Sequence, residues 1–273
     1  MKALPPGTIL QLMYLSERLG RLDAGRFVEI GAGNGEITNI LLSLGWSGSV
    51  YEFDARTTEK LRERFSEEVA SDRLVLNVSD YVQSETTDVD LVISSMVMEH
   101  LSDKDEALFM QKSLANLERK GGMLIGIVPA GPRYWGVEDD IAGHFRRYTP
   151  EWIDAITRSN GWSLLHMKGL TFPVSNLLLP LSNYLVAKQE GAKVKLSKLE
   201  QTKESGRRNV KFKTTFPSLF SLILNQFTMY PLHILQKLLG PASRSLVLYF
   251  EAKPGDAEAL VKKGTGFGTR EQA

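Results

Sequence analysis

FVEIGAGNGEIT, residues 27–38, is the stretch that decides the fold. A short apolar run ends at Ile30, glycines follow at alternate positions (Gly31, Gly33 and Gly35), and a helical pattern begins at Glu36. Glycine is needed where a chain turns sharply and its backbone must approach a ligand with no Cβ in the way. An ordinary strand-to-helix turn does not require three of them, so the segment reads as a nucleotide-cofactor loop. Its spacing narrows the ligand. A dinucleotide fingerprint has its third glycine five residues after the first, and here that position is Glu36, an acid that would repel a pyrophosphate. With Glu29 ahead of it, the loop suits a ligand that lacks phosphate and carries positive sulfonium and amino groups.

Outward from the loop, short apolar runs alternate with helical segments. Strands are expected over Arg26–Ile30, Ser49–Phe53, Arg73–Val78, Asp90–Ser94 and Gly122–Val128. Helices are expected over Thr8–Gly20, Glu36–Leu44, Thr57–Ala70, Asp103–Glu118 and Glu151–Asn160, the last opened by Thr149 and Pro150. Trp162–Lys168 and Ser245–Ala252 complete the candidate strands. Strand and helix in turn imply a mostly parallel sheet covered on both faces, an α/β doubly wound fold. The expected organisation is an N-terminal helix (1–23), a cofactor domain (24–169 and 245–253), a helical insertion or lid (170–244) and a flexible tail (254–273).

Composition fits one such unit. The chain has 273 residues, 42% hydrophobic and 24% charged, with a formal net charge of +1 and no cysteine. The charge argues against a nucleic-acid partner, and the lack of cysteine excludes disulfides, thiolate metal sites and cysteine nucleophiles. Early prolines break up any signal peptide, so a cytoplasmic location is expected. Two uncharged stretches, Gly169–Ala187 and Thr214–Gln236, match a membrane span in length. Each carries two prolines and scattered polar residues, and neither reads as a transmembrane helix.

Two acids follow later strands. Asp54 stands where strand–helix–strand sites place a ribose ligand, and helix capping is its alternative. Asp80 stands where an adenine amino group can be met, or where a turn needs a former. The segments FVEIGAGNGEIT (27–38), VYEFD (50–54), VSD (78–80), DLVISSMVMEHL (90–101) and GGMLIGIVP (121–129) together resemble the successive motifs of the class I S-adenosylmethionine-dependent methyltransferases, of the small-molecule type. The resemblance covers roughly residues 24–170 and the strand at 245–253. It implies a Rossmann-like seven-stranded sheet, mostly parallel with an antiparallel last strand. It also implies S-adenosyl-L-methionine as cofactor. Glu29, Gly31, Ala32, Gly33 and Gly35 would hold the methionine portion, Asp54 the ribose, and Asp80 with Tyr81 the adenine. Ser95, within Ser94–Met96, would lie beneath the sulfonium.

For the acceptor the candidates are fewer. His100 and His144 are the candidate bases, each with a structural alternative: packing near the cofactor, or ordering the loop before the helix at 151. Arg146 and Arg147 suit an acceptor carboxylate or phosphate, or else pair with Asp139 and Asp140; Tyr148 continues the same acceptor-side run. Asp140 and His144 are four apart, but no third ligand has a clear spacing, so no metal is expected. Lys188–Lys213 holds nine Lys or Arg against three Glu, a net of +6, between apolar flanks. That pattern suits a lid over a lipophilic small-molecule acceptor, with contact at a membrane surface as a further expectation. Methyl transfer to an oxygen or nitrogen of a hydrophobic or amphipathic molecule is the expected activity. RNA or protein methylation and a non-catalytic scaffold are its rivals, and oligomeric state is not legible.

Overall fold

The structure, a computed structural model, describes residues 3–85, 87–190, 201 and 216–255. Seven strands, β1 (Arg26–Ile30), β2 (Ser47–Tyr51), β3 (Leu74–Asn77), β4 (Leu91–Ser95), β5 (Met123–Pro129), β6 (Trp162–Leu170) and β7 (Val247–Pro254), form one sheet in the order β3-β2-β1-β4-β5-β7-β6. The first five pair in parallel, and β7 runs antiparallel to both β5 and β6. The α/β doubly wound, seven-stranded expectation holds.

Side chains alternate across the strands, so each apolar strand feeds two cores. Phe27, Leu91, Ile93, Ile125 and Ile127 join one buried cluster, with α1 (Pro6–Leu19), α2 (Glu36–Ser43) and Leu61 of α3 (Ala55–Arg64). Val28, Ile30, Val92, Leu124 and Val128 join the other, with α5 (Asp103–Leu117) and α7 (Pro150–Ser159), which follow the short α4 (Ser66–Ala70) and α6 (Val137–Ala142). The helix expected over Thr57–Ala70 is two helices. Phe65 departs from helical geometry at the break, and its ring is buried against the glycine loop. The strand expected over Ser49–Phe53 ends at Tyr51, which puts Glu52 and Phe53 in the loop beyond it.

Between β6 and β7 the chain forms α8 (Val174–Glu190), a 3-10 turn at Ser218–Leu222 and α9 (Gln226–Leu239). Most of the basic stretch 188–213 and the tail from 256 lie outside the described residues. No helix among the described residues is long and apolar enough to cross a membrane. The insertion is tied down at both ends. The Gln236 amide donates to the Leu10 carbonyl and accepts from the Thr171 backbone, while His233 and Lys237 both meet Glu17 on α1 at 2.7 Å. On α8, Val186 packs with Ile141 of α6.

Helix α1 is fastened to the last strand by a fork. Arg18 donates two 2.6 Å hydrogen bonds to the two oxygens of the buried Glu251 on β7, and the Tyr249 hydroxyl donates a third. Paired donors hold the Glu251 carboxyl below its usual range despite burial. Removing one partner strands a buried charge. Arg18→Met is expected to lower unfolding free energy by about 3 kcal/mol, read as a fall in the urea midpoint; an unchanged midpoint would show that the fork contributes nothing.

Candidate active site

The three loop glycines all adopt left-handed backbone, at φ of 72°, 54° and 80°. They serve different ends. A Cβ on Gly31 would lie 2.4 Å from the Val97 side chain, and one on Gly35 would strike Phe65 and Leu61 at 2.6 and 2.7 Å. A Cβ on Gly33 would meet nothing within 4 Å. The outer glycines therefore let neighbouring segments close in, while the middle one leaves bare backbone facing open space. The loop lies at the carboxyl end of β1, beside β4 where the strand order reverses, the place where open α/β sheets bind ligands.

Glu29 is buried beneath this loop and accepts a 2.6 Å hydrogen bond from the Thr38 hydroxyl, joining β1 to α2. Glu36 pairs with Arg64 of α3 at 2.9 Å, so its charge is partly answered. The acid that meets the loop is Glu52: one carboxylate oxygen accepts from the Gly33 amide at 3.4 Å, the other from the Asp54 amide at 3.2 Å. Burial raises the Glu52 carboxyl, and backbone donors oppose the rise. Asp54 caps α3, accepting from the Thr57 amide at 3.1 Å and its hydroxyl at 2.7 Å. Reading the strand as ending at Phe53 placed Glu52 inside it, which is why the sequence alone did not single it out.

Asp80 accepts from the Val82 amide at 2.9 Å and begins a 3-10 turn over Tyr81–Gln83. Tyr81 lies in the core, edge-on to Tyr51 and Phe109, with its hydroxyl near Ser113 and Asn116. Ala32 is buried, and Ser95 ends β4 half-buried.

The residues expected on the acceptor side form a second unit. Phe145 donates its backbone N–H to the Glu99 carbonyl at 2.8 Å, latching the loop after α6 onto the turn after β4. This brings His144 beside His100, ring centroids 4.7 Å apart and nearly perpendicular. Buried Asp139 organises the cluster: Oδ1 meets His144 Nδ1 and Arg147 Nε, each at 2.8 Å, and Oδ2 accepts from the Gly136 amide. These partners hold its carboxyl below the usual range although burial works the other way. Arg147 also donates to the Ala130 carbonyl. Arg146 pairs with Glu106 and Asp103, and Tyr148 is fully buried with its hydroxyl on Glu106. The substrate-clamp expectation for Arg146, Arg147 and Tyr148 thus meets side chains already engaged inside the protein. Asp140, four residues before His144, accepts from the Trp135 indole N–H at 2.9 Å. Glu99 has no exposed surface and was not singled out from sequence; burial pushes its carboxyl up to about 7, with the His144 charge opposing.

Residues 28–124 match the family model described as a methyltransferase domain. Over 75 residues the chain is 36% identical to the probable ribosomal RNA small subunit methyltransferase A of Haloarcula marismortui, covering 28% of this chain and 26% of that protein. The match thus spans about a quarter of the relative's length. Among solved structures, the 4+2 cyclase SpnF superposes with a TM-score of 0.55 at 14% identity, over 90% of this chain and 80% of that one. The 1,6-didemethyltoxoflavin-N1-methyltransferase of Burkholderia thailandensis, solved with 1,6-didemethyltoxoflavin and S-adenosylhomocysteine, does so with 0.52 at 11%, over 92% and 80%. The fold is that of the class I methyltransferases, and it carries a cyclase as well as a methyltransferase, so the reaction must be argued from the site.

Burial pushes the Glu29 carboxyl up to about 7, with the Thr38 hydroxyl opposing and the charge of Glu52 adding to the rise. The folded state therefore holds this proton more tightly than the unfolded chain does. Stability from it is fully present below the ordinary glutamate range and is lost as pH rises toward 7. Between pH 4.5 and 7 the wild type is expected to lose on the order of 2 to 3 kcal/mol through this group. Glu29→Gln should lose that share of the decline in urea midpoint; an identical pH slope in the variant would remove Glu29 as its source.

Proposed function

We propose that this chain, which carries a methyltransferase domain over residues 28–124 in a class I methyltransferase fold, transfers a methyl group from S-adenosylmethionine to an oxygen or nitrogen of a hydrophobic or amphipathic small molecule. The observation that carries the reading is the pairing of bare backbone at Gly33 with the Glu52 carboxylate beneath it. Open space over Gly33 accommodates a ligand lying on the loop. Glu52, just beyond β2, is the acid in position for ribose hydroxyls, with Asp54 holding the helix that follows. The Glu52 carboxylate at the loop favours a cofactor that is cationic and free of phosphate.

When bound, the cofactor supplies a methyl group on a positively charged sulfur, a good leaving group. The chain's task is then positioning and exclusion of water. His144, held by Asp139 through Nδ1, and His100 beside it are the groups placed to deal with the acceptor's proton. The insertion supports a lipophilic acceptor. Leu177, Leu181 and Tyr184 on α8 and Leu219, Leu222, Ile223 and Phe227 before and on α9 are all more than half exposed. Such a surface, flanking in sequence a segment of net +6, favours collection of the acceptor at an anionic membrane face from the cytoplasmic side.

Calorimetry with S-adenosylmethionine should give a single binding event, and absence of binding would remove the reading. Glu52→Ala is expected to weaken that binding at least about tenfold, the worth of a charge-assisted hydrogen bond. Asp54→Ala is expected chiefly to lower the melting temperature, because a lost cap is worth about 1 kcal/mol. The reverse pattern would return the ribose to Asp54. Labelled-methyl transfer should favour small-molecule and lipid extracts, and activity on RNA alone would overturn the acceptor class. Co-sedimentation with anionic vesicles at low salt checks the membrane contact, and protein left wholly in the supernatant would end it.

A further inference from the structure

Glu99, His100 and His144 each offer a ligand atom, and these atoms all lie within 4.8 Å of one another. Glu99 is the anomaly in the group. It has no exposed surface, and neither of its carboxylate oxygens has a hydrogen-bond partner among the described residues. A buried carboxylate left so is costly, and native structures pair such groups or give them a metal.

His144 Nε2 stands 3.9 Å from one Glu99 oxygen. That is too long for a hydrogen bond. It is near the roughly 3.3 Å that separates two donors on a tetrahedral ion with bonds of about 2.0 Å. The other ring nitrogen, Nδ1, meets Asp139 at 2.8 Å. A proton on Nδ1 fixes the tautomer and turns the Nε2 lone pair toward Glu99, the carboxylate–histidine arrangement that orients metal-bound imidazoles. Asp139 is itself held by Arg147 and the Gly136 amide, which keeps it in this supporting role. The His100 ring closes the third side.

We propose that Glu99, His100 and His144 bind one divalent transition-metal cation of the zinc type, with Asp139 as the positioning residue behind His144. The donor set of two imidazoles and one carboxylate suits Zn²⁺ and its first-row neighbours better than Mg²⁺ or Ca²⁺, which take oxygen ligands. With three protein ligands, one coordination position is left for an oxygen or nitrogen of the acceptor. Coordination there would lower the acceptor's pKa, its proton passing to bulk water, since His144 and His100 as ligands no longer act as bases. This consequence rests on the methyl-transfer reading; the cation site does not. The chain's two other histidines are occupied elsewhere, His166 with Tyr14 and His233 with Glu17, which limits competing sites.

The test is titration of the chelator-treated full chain with ZnCl₂ by calorimetry, and with CoCl₂ by visible absorption. One equivalent should bind, with Co²⁺ bands of a low-coordinate site containing nitrogen ligands. Glu99→Gln and His144→Ala should each weaken binding at least about 100-fold, and Asp139→Asn about 10- to 100-fold. Thermal melts check folding; Glu99→Gln keeps the side chain's shape and carries the test if His144→Ala does not fold. Wild-type protein that binds no cation at about 1 mM, or Glu99→Gln that binds as tightly as wild type, overturns the site. Cofactor calorimetry run in chelator is separate: its failure would remove the methyl-transfer reading and leave the metal result standing.

Discussion

The missing Cβ of Gly31 is the constraint on which the site depends. The chain leaves β1 through a left-handed turn, and the volume a side chain would occupy is filled by Val97 from the segment after β4. Only glycine supplies that backbone without strain and that closeness without a clash. Two loops from adjacent strands are thereby pressed into contact. One leads to Gly33 and Glu52. The other continues within three residues to Glu99 and His100, and the Phe145 hydrogen bond to Glu99 adds the His144 loop. The glycine loop and the histidine cluster are one packed unit because a side chain is missing at one position.

Buried acids recur through the structure, and their partners separate support from chemistry. Glu251 is forked by Arg18, Glu29 takes the Thr38 hydroxyl, and Asp139 collects a histidine, an arginine and an amide. These three are explained by the protein around them. Glu99 is not, since no described group donates to its carboxylate. A folded chain tolerates such a group where the unmet demand has a use, and perturbed acids in a cleft are where functional sites are sought.

Much of the fold was legible because strand alternation and glycine spacing are local signals. Phe27 and Val28 announce two opposite cores by being neighbours, and Gly31, Gly33 and Gly35 announce a loop by their interval. The site was less legible where a boundary of one or two residues changes a role. Ending β2 at Tyr51 rather than Phe53 moves Glu52 from a strand interior to the loop, and makes Asp54 the cap of α3. Arg146, Arg147 and Tyr148 look available in one dimension. Their partners, Glu106 and Ala130 among them, lie up to 45 residues away and appear only when the chain is folded. The same holds for Glu99, whose isolation is a property of its surroundings and leaves no mark in the sequence.

The insertion is more than a cover. Helix α8 lays Val186 against Ile141 of α6, and Asn183 beside Gly136. Helix α6 carries Asp139, and Asp139 sets the direction of the His144 ring. Any force on α8 from an acceptor or an apolar surface would therefore reach Nε2 of His144 through one short helix and one hydrogen bond. At its other end the insertion is fixed to α1 through Gln236, and α1 to β7 through Arg18. Helix α8 rests on α6, and so bears on the hydrogen bond that sets the His144 ring. Packing of the insertion and alignment of His144 are for that reason coupled in this fold.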